Sequence, residues 1–399
     1  MAEPWLHIVG IGAEGMASLS PAVQALLESA EVILGGARHH ALTEGLKAER
    51  RAWPSPFDAL ISELKQLEGR RVVVLATGDP LWYSVGARIA REIPEGLRFH
   101  PQLSAFQLAA VRMGWSLADL ETLTAHGRPA EQVLPYVTPG ARLLILTTGG
   151  ETPGQIARLL VANGYEPSRI TVLAEMGAPG EARFDGIAES WDHAVPAFNI
   201  MAVECLAGPD AALLPRVAGL PDEVFASDGT MTKREVRAVT LAKLMPMRGA
   251  LLWDIGCGCG SVAVEWMRAA RDARAIGIEA RADRRDLAAR NALELGAPGL
   301  RLVEGRVPEA LADLPAPDAV FIGGGLSRES FDIAWAALKP LGRLVANGVT
   351  LESEALMLAL HAEYGGELVR VSVERAAPIG GLHGWRPAMP VLQWSMIKR

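Results

Sequence analysis

Short apolar runs alternate along the chain with stretches whose apolar residues recur every three or four positions. That pattern predicts strands interleaved with helices, and so an α/β protein with largely parallel sheets. In the first half the strand-like runs are Leu6–Val9, Val72–Ala76, Leu143–Thr147, Ile170–Leu173 and Ile200–Cys205. Helix-like stretches include Pro21–Ser29, Ala105–Met113 and Pro153–Asn163. Pro21 and Pro153 stand where a first helical turn tolerates proline, and Ser20 and Thr152 are placed to cap. The pattern breaks at Ala207-Gly208-Pro209-Asp210 and again at Gly219-Leu220-Pro221-Asp222, both turn signals. The expected division is a domain over 1–210, a linker over 211–219 and a domain over 220–399. The second series has strand candidates Leu251–Ile255, Ala275–Glu279, Arg301–Glu304, Ala319–Ile322, Arg343–Ala346, Leu368–Val373 and Val391–Ile397. No short internal repeat is visible.

A chain of 399 residues suits two domains better than one core. The net charge of -7 argues against nucleic acid, which needs clustered Lys and Arg. No apolar run approaches the roughly 18 residues of a membrane span, and the N-terminus does not read as a signal peptide. A cytoplasmic enzyme is expected. The three cysteines, Cys205, Cys257 and Cys259, make no disulfide framework. Cys257 and Cys259 form a C-x-C without further ligands nearby, so they read as small residues in a tight turn and no metal is expected.

The strongest chemical signal follows the buried run Leu251–Ile255. Gly256-Cys257-Gly258-Cys259-Gly260 leads from it into a helix beginning at Ser261. Glycines permit a sharp turn and a close ligand, and the helix start offers free N–H groups. The spacing is G-x-G-x-G, unlike the G-x-G-x-x-G that seats a pyrophosphate. Asp254 stands two residues earlier, where a carboxylate, directly or through water, suits an ammonium. The next strand ends at Glu279, placed to accept ribose hydroxyls. Gly305, Arg306 and Val307 follow the third strand and can meet an adenine, and Gly323 follows the fourth. The ordered set points to S-adenosylmethionine.

Upstream, Asp228-Gly229-Thr230-Met231-Thr232-Lys233-Arg234-Glu235-Val236-Arg237 precedes this loop. Together with Trp253–Gly260, Phe321–Gly324 and Leu344–Asn347, it closely resembles the decarboxylating precorrin methyltransferases called CbiT. The resemblance implies a Rossmann-like class I methyltransferase fold and places Thr232 beside the cofactor. Cys257 and Cys259 stand where that family more often has Ala or Ser.

In the first half, Gly10-Ile11-Gly12-Ala13-Glu14-Gly15 literally matches G-x-G-x-x-G. The dinucleotide reading is discounted, because Val32-Ile33-Leu34 ends in Gly35-Gly36 rather than in an acid. Gly78-Asp79-Pro80-Leu81-Trp82-Tyr83 and Pro101-Gln102-Leu103-Ser104-Ala105 follow further strands. This set resembles the tetrapyrrole (precorrin) methylases, most closely the CbiE branch, whose fold has two α/β subdomains with adenosylmethionine in the cleft. The resemblance implies that Gly10 and Gly12 line that cleft and that Gly78, Asp79 and Pro80 hold the methionine end. Ser104 and Ala105 would approach the cofactor through their backbone, with Thr147 nearby. Ala13-Glu14 departs from the Pro-Gly that the family often has.

A CbiE-like half followed by a CbiT-like half resembles the fused C5,15-methyltransferases (decarboxylating) of aerobic cobalamin synthesis. That resemblance implies two adenosylmethionine sites, one per domain, acting on precorrin-6B. C5 and C15 would be methylated and the ring C (C12) acetate decarboxylated, giving precorrin-8X. The C-terminal domain would methylate C15 and decarboxylate, and the N-terminal domain would methylate C5. It also implies a homo-oligomer and transient hand-over to neighbouring pathway enzymes. A substrate bearing several carboxylates needs cationic and N–H donors. Candidates are Lys233, Arg234, His383 and Arg386 in the second half, and Arg38, His39, Arg88 and Arg128 in the first; Asp228 is also expected to bind substrate. Many such charges simply face water, and no metal site is read into the adjacent His39 and His40. A methyltransferase acting on RNA and an NAD-dependent oxidoreductase using Gly10–Gly15 are the competing readings.

Overall fold

The computed structural model describes residues 4–399. By internal contact they divide into two compact units, Met1–Ala130 with Pro139–Ala212, and Leu213–Arg399 with Glu131–Thr138. The short Glu131–Thr138 segment groups with the second unit, where Arg216 lies over the Tyr136 ring at 4.6 Å. Among the described residues no helix is long and apolar enough to cross a membrane.

The first unit holds two five-stranded sheets. One is wholly parallel and built from β1 (Leu6–Ile11), β2 (Val32–Leu34), β3 (Glu49–Arg51), β4 (Val72–Thr77) and β5 (Leu97–His100), in the order β3-β2-β4-β1-β5. β2, and β4 up to Ala76, are fully buried apolar runs, as a parallel sheet covered on both faces requires. The other sheet comprises β6 (Glu121–Thr124), β7 (Arg142–Leu146), β8 (Arg169–Ala174), β9 (Ala182–Ile187) and β10 (Asn199–Glu204), in the order β6-β7-β10-β8-β9. Here the expectation of a largely parallel sheet fails. Only β6 and β7 pair in parallel, and β10 runs antiparallel to both β7 and β8, as does β9 to β8. The β8–β9 connection is too short for a crossover helix, so the chain turns back.

The helices Pro21–Ser29 and Ala105–Met113 form where the pattern places them. The Ser20 Oγ accepts from the Val23 N–H at 3.4 Å and caps the first. Thr152 does not cap. It is the first helical residue behind Glu151, and its hydroxyl accepts from the Thr148 N–H at 3.2 Å instead.

The second unit is built on one seven-stranded sheet. Its parallel part is β11 (Leu251–Ile255), β12 (Arg274–Glu279), β13 (Arg301–Glu304), β14 (Ala319–Ile322) and β15 (Arg343–Gly348). β16 (Glu367–Val371) and β19 (Val391–Ile397) complete it, in the order β13-β12-β11-β14-β15-β19-β16. β19 runs antiparallel to both its neighbours. All five residues of β11 are buried, and Trp253, Trp266 and Trp394 are among the largest side chains in the core. Strand order reverses between β11 and β14, which opens a crevice at the carboxyl ends of the strands. Between β16 and β19 the chain makes a separate hairpin, β17 (Glu374–Ile379) and β18 (Leu382–Pro387), joined by Gly380-Gly381. The sequence pattern had not suggested it.

Candidate active site

The crevice of the second unit is a cavity of about 850 Å³. The turn after β11 forms its floor. The Gly256 and Cys257 N–H groups both donate to the Ile278 carbonyl, which closes the turn against β12. Gly256 has φ +69, and a Cβ there would stand 2.7 Å from the Gly324 oxygen. Gly258 has φ +54, and a Cβ there would project into open space, with the Thr230 oxygen its nearest neighbour at 3.9 Å. Gly260 is the N-cap of the helix Ser261–Ala269, pressed against Ala288, and does not line the cavity.

Asp254, at the end of β11, is buried and lines the cavity. Its Oδ2 accepts from the Ala263 N–H at 3.0 Å, whereas its Oδ1 has no partner. Burial, opposed by that N–H and reinforced by nearby Glu279, pushes its carboxyl up to about 7. An unpaired carboxylate oxygen beside a glycine wall is what an ammonium would complete. The Glu279 carboxylate, at the end of β12, accepts from the Gly258 N–H at 3.1 Å and the Arg281 N–H at 3.0 Å. Its remaining lone pairs are free to take ribose hydroxyls. Gly305, Arg306, Val307, Gly323 and Thr232 also line the cavity, as do the backbones around Cys257 and Cys259. Cys257 packs onto β12 so closely that a Cβ on Gly277 would stand 2.9 Å from its sulfur, and burial pushes its thiol far up. Among the described residues no cluster suits a metal ion.

The substrate candidates separate. Lys233 lines the cavity and Arg234, Asp228, His383 and Arg386 do not. The Arg234 Nε donates to the Gly219 carbonyl at 2.8 Å, a packing role. Asp228 accepts from Thr230 and from the Arg284 Nε at 2.8 Å, and those bonds, Thr230 first, hold its carboxyl well below the usual range. It therefore fixes Arg284 and Thr230, which do line the cavity. His383 and Arg386 are exposed on β18.

Several cavity or supporting residues had not been singled out. Buried Asn291 donates to the carbonyls of Cys259 at 2.8 Å and Ala226 at 2.9 Å, joining the cofactor turn to the segment before Asp228. Arg237 is fully buried. It pairs with Glu265 at 2.5 Å and Asp222 at 3.1 Å and donates to the Thr232 carbonyl, anchoring the M-T-K segment. Arg375 and Glu235 face the cavity as an ion pair.

In the first unit the three predicted loops converge at the carboxyl ends of β1, β4 and β5. A Cβ on Gly10 would stand 1.9 Å from the Gly78 oxygen and 2.9 Å from the Gln102 nitrogen, so its lack of a side chain is spent on loop packing. Gly78 has φ +64 and presses on Leu103 and Ser104. Gly12 is less crowded, with nothing nearer than the Ser18 oxygen at 3.7 Å. Asp79 accepts from the Leu81 N–H, and Pro80 is buried. Ser104 and Gln107 cap the helix that begins at Ala105. Thr147 ends up at the other sheet, its hydroxyl bonded to Asn199. His39 sits next to the Gly78 loop, 3.0 Å from the Thr77 hydroxyl, and burial lowers it to about 4, so it is neutral at physiological pH. Arg38 stacks on Phe198 at 3.4 Å beside Glu175, and Arg88 pairs with Asp58 at 2.9 Å. Arg128 borders a recess of about 300 Å³ at the Thr148–Thr152 turn.

Residues 223–398 match the family described as a precorrin methyltransferase domain, and residues 5–190 match the tetrapyrrole (corrin/porphyrin) methylases. A protein of Sinorhizobium sp named precorrin-6Y C(5,15)-methyltransferase (decarboxylating) is 46% identical over 402 residues, covering 100% of this chain and 97% of its own length. One of Mycobacterium tuberculosis (strain CDC 1551 / Oshkosh) bearing the same name is 37% identical over 399 residues, covering 98% and 99%. Among solved structures, the C-terminal domain of precorrin-6Y C5,15-methyltransferase from Rhodobacter capsulatus is 52% identical. It covers 46% of this chain and 99% of that one, with a TM-score of 0.44.

Proposed function

Because the chain belongs to the family of precorrin-6Y C5,15-methyltransferases (decarboxylating), an enzyme family of cobalamin biosynthesis whose methyl donor is adenosylmethionine, we propose that it works through two cofactor sites, one in each of the domains 1–210 and 220–399. The C-terminal site methylates C15 and removes the ring C acetate carboxylate of precorrin-6B. The N-terminal site methylates C5, and the product is precorrin-8X. The observation that carries the C-terminal assignment is the buried Asp254 carboxylate, with one oxygen unpaired at the floor of a glycine-walled cavity.

When bound, adenosylmethionine supplies an already activated methyl group. The protein's own work is binding, alignment and exclusion of water. Asp254 takes the ammonium, Glu279 the ribose hydroxyls, and Gly258 leaves the space between them. Thr232, fixed by Arg237 through its carbonyl, closes the cavity above the turn. No strong base is required, since the meso carbons of the reduced tetrapyrrole are enamine-like nucleophiles and the conjugated ring accepts the electrons released by decarboxylation. In the N-terminal domain Gly12, Asp79, Pro80 and the Ser104–Ala105 backbone hold the second cofactor. The enzyme is read as a cytoplasmic homo-oligomer that hands its product to neighbouring pathway enzymes.

Incubation with precorrin-6B and isotopically labelled adenosylmethionine, read by mass spectrometry, tests this. Gain of two methyl groups with loss of one CO2 is expected. Binding of NAD(P)H in place of adenosylmethionine, or one methyl gained at saturation, overturns the two-site reading.

A further inference from the structure

The cavity of the second unit has two chemically different sides. The glycine turn, Asp254 and Glu279 form one. The other is apolar and comes from the antiparallel end of the sheet: Val371 at the end of β16, Val373, and Met389 and Val391 leading into β19. Arg375 stands at the start of the hairpin beside this wall, and its side chain is half exposed.

Arg375 is gripped from one side only. Its Nη2 donates to Glu235 Oε2 at 2.5 Å and to Asp222 Oδ2 at 3.3 Å, and its Nε to Glu235 Oε1 at 3.4 Å. Among the described residues its Nη1 has no acceptor. Asp222 is shared with buried Arg237, so it cannot neutralise Arg375 alone. Lys233, two residues before Glu235, also lines the cavity and has no ionic partner among the described residues. A planar guanidinium fixed through Nε and Nη2, with Nη1 left without an acceptor among the described residues, is pre-organised for a further carboxylate.

We propose that Arg375, positioned by Glu235 and Asp222, is the anchor for a carboxylate that the tetrapyrrole keeps, and that the acetate to be lost lies instead against Val371, Val373, Met389 and Val391. This rests on the functional reading above. The physical reason is the direction in which charge moves. Breaking the C–CO2 bond drains negative charge from the carboxylate into the ring. A guanidinium clamped on that carboxylate stabilises the ground state and slows the step, whereas apolar surroundings favour the more dispersed charge of the transition state. A cation is therefore useful on a retained side chain and harmful on the departing one. The Glu235 carboxylate, held below its usual range first by its hydrogen bond to Arg375, stays ionised and competes with the substrate for the same guanidinium.

The test uses the full chain with precorrin-6B and adenosylmethionine. Arg375→Gln is expected to raise KM for the tetrapyrrole about tenfold, with CO2 released per C15 methyl still one and cofactor affinity unchanged. Arg375→Lys should recover part of the loss. Glu235→Gln, which keeps one carbonyl acceptor to position the guanidinium but loses the competing charge, should move KM the opposite way, downward. A purely structural pair predicts two variants that lose stability together with KM unmoved, and that result overturns the proposal. So does a rise in CO2 released per methyl in Arg375→Gln, which would place the departing carboxylate on the guanidinium. If Arg375→Gln does not fold, an unchanged or raised KM in Glu235→Gln overturns it. Wild-type enzyme that releases no CO2 overturns the functional reading as well, whereas wild-type turnover with an unmoved KM in Arg375→Gln overturns only the anchor.

Discussion

Gly10, the penultimate residue of β1, and Gly258, in the turn after β11, each belong to a G-x-G, yet they lack side chains for opposite reasons. At Gly10 the missing Cβ is replaced by the chain itself, since the Gly78 oxygen would be 1.9 Å away. At Gly258 nothing replaces it, and the space belongs to a cavity floored by an unpaired carboxylate. One glycine is used up by packing, and the other leaves open space that the proposed function gives to the cofactor. A motif search weighs them equally. Only what surrounds the absent atom separates them.

The sharpest way to break this comparison is Gly258→Arg. It should cut C15 methylation and CO2 release by about a hundredfold or more, while C5 methylation, assayed on a C15-methylated, decarboxylated substrate, continues. Loss of both methylations in a folded protein would show that the two sites are not separate. Gly10→Ala should do the reverse. The Cβ meets backbone rather than a flexible side chain, so the first unit should lose about 3 kcal/mol, seen as an earlier calorimetric transition. Unchanged melting would mean that the loops part easily and that the close approach does not hold them.

A smaller effect sharpens the binding side. Burial, more than any other influence, pushes the Asp254 carboxyl up from the ordinary 3.8 to about 7. Its ionisation therefore costs stability, absent below about pH 4 and fully present above about pH 7. Asp254→Asn keeps an acceptor for the Ala263 N–H and removes that cost. The cofactor-free second unit should melt higher at neutral pH and no higher at pH 4, while cofactor affinity falls by about tenfold or more. In the wild type, cofactor affinity should weaken as pH drops below 7, with proton release on binding seen as a buffer-dependent calorimetric heat. A flat profile from pH 6 to 8 would remove Asp254 as the ammonium partner. The least effect is expected from His383→Ala and Arg386→Ala, whose KM should stay within about twofold of wild type because both side chains are exposed outside the cavity.

The parallel strands β11 to β15 were legible because each signal is local, whereas β3, made of Glu49, Arg50 and Arg51, carries no apolar run to announce it. Leu251–Ile255, its turn and its helix declare themselves within twenty residues, and Glu279 is read from the end of the next apolar run. The second sheet of the first unit was not legible, because apolar runs carry no sign of strand direction. The hairpin had a signal that passed unused: Gly380-Gly381 between Ile379 and Leu382 is a two-residue turn of the kind that joins antiparallel strands. Arg375 had none. As one arginine among exposed residues it looked the same as Arg386, and its meaning comes from Glu235, 140 positions away. The buried Arg237 ends the Asp228–Arg237 motif, but its pairing with Glu265 and Asp222 is equally a fact of the folded chain.

The place of β19 bears on how the second unit is made. It is synthesised after β16, yet it lies between β15 and β16 rather than at the rim of the sheet. Until it docks, β15 and β16 each present an open edge of unpaired backbone groups with the gap between them unfilled. Met389 and Val391, which wall the cavity, arrive with that same segment. The glycine turn closes against β12 without them, but the apolar wall of the cavity is in place only when β19 fills the gap. A sheet with that gap still open exposes the unpaired strand edges that make folding intermediates prone to aggregate.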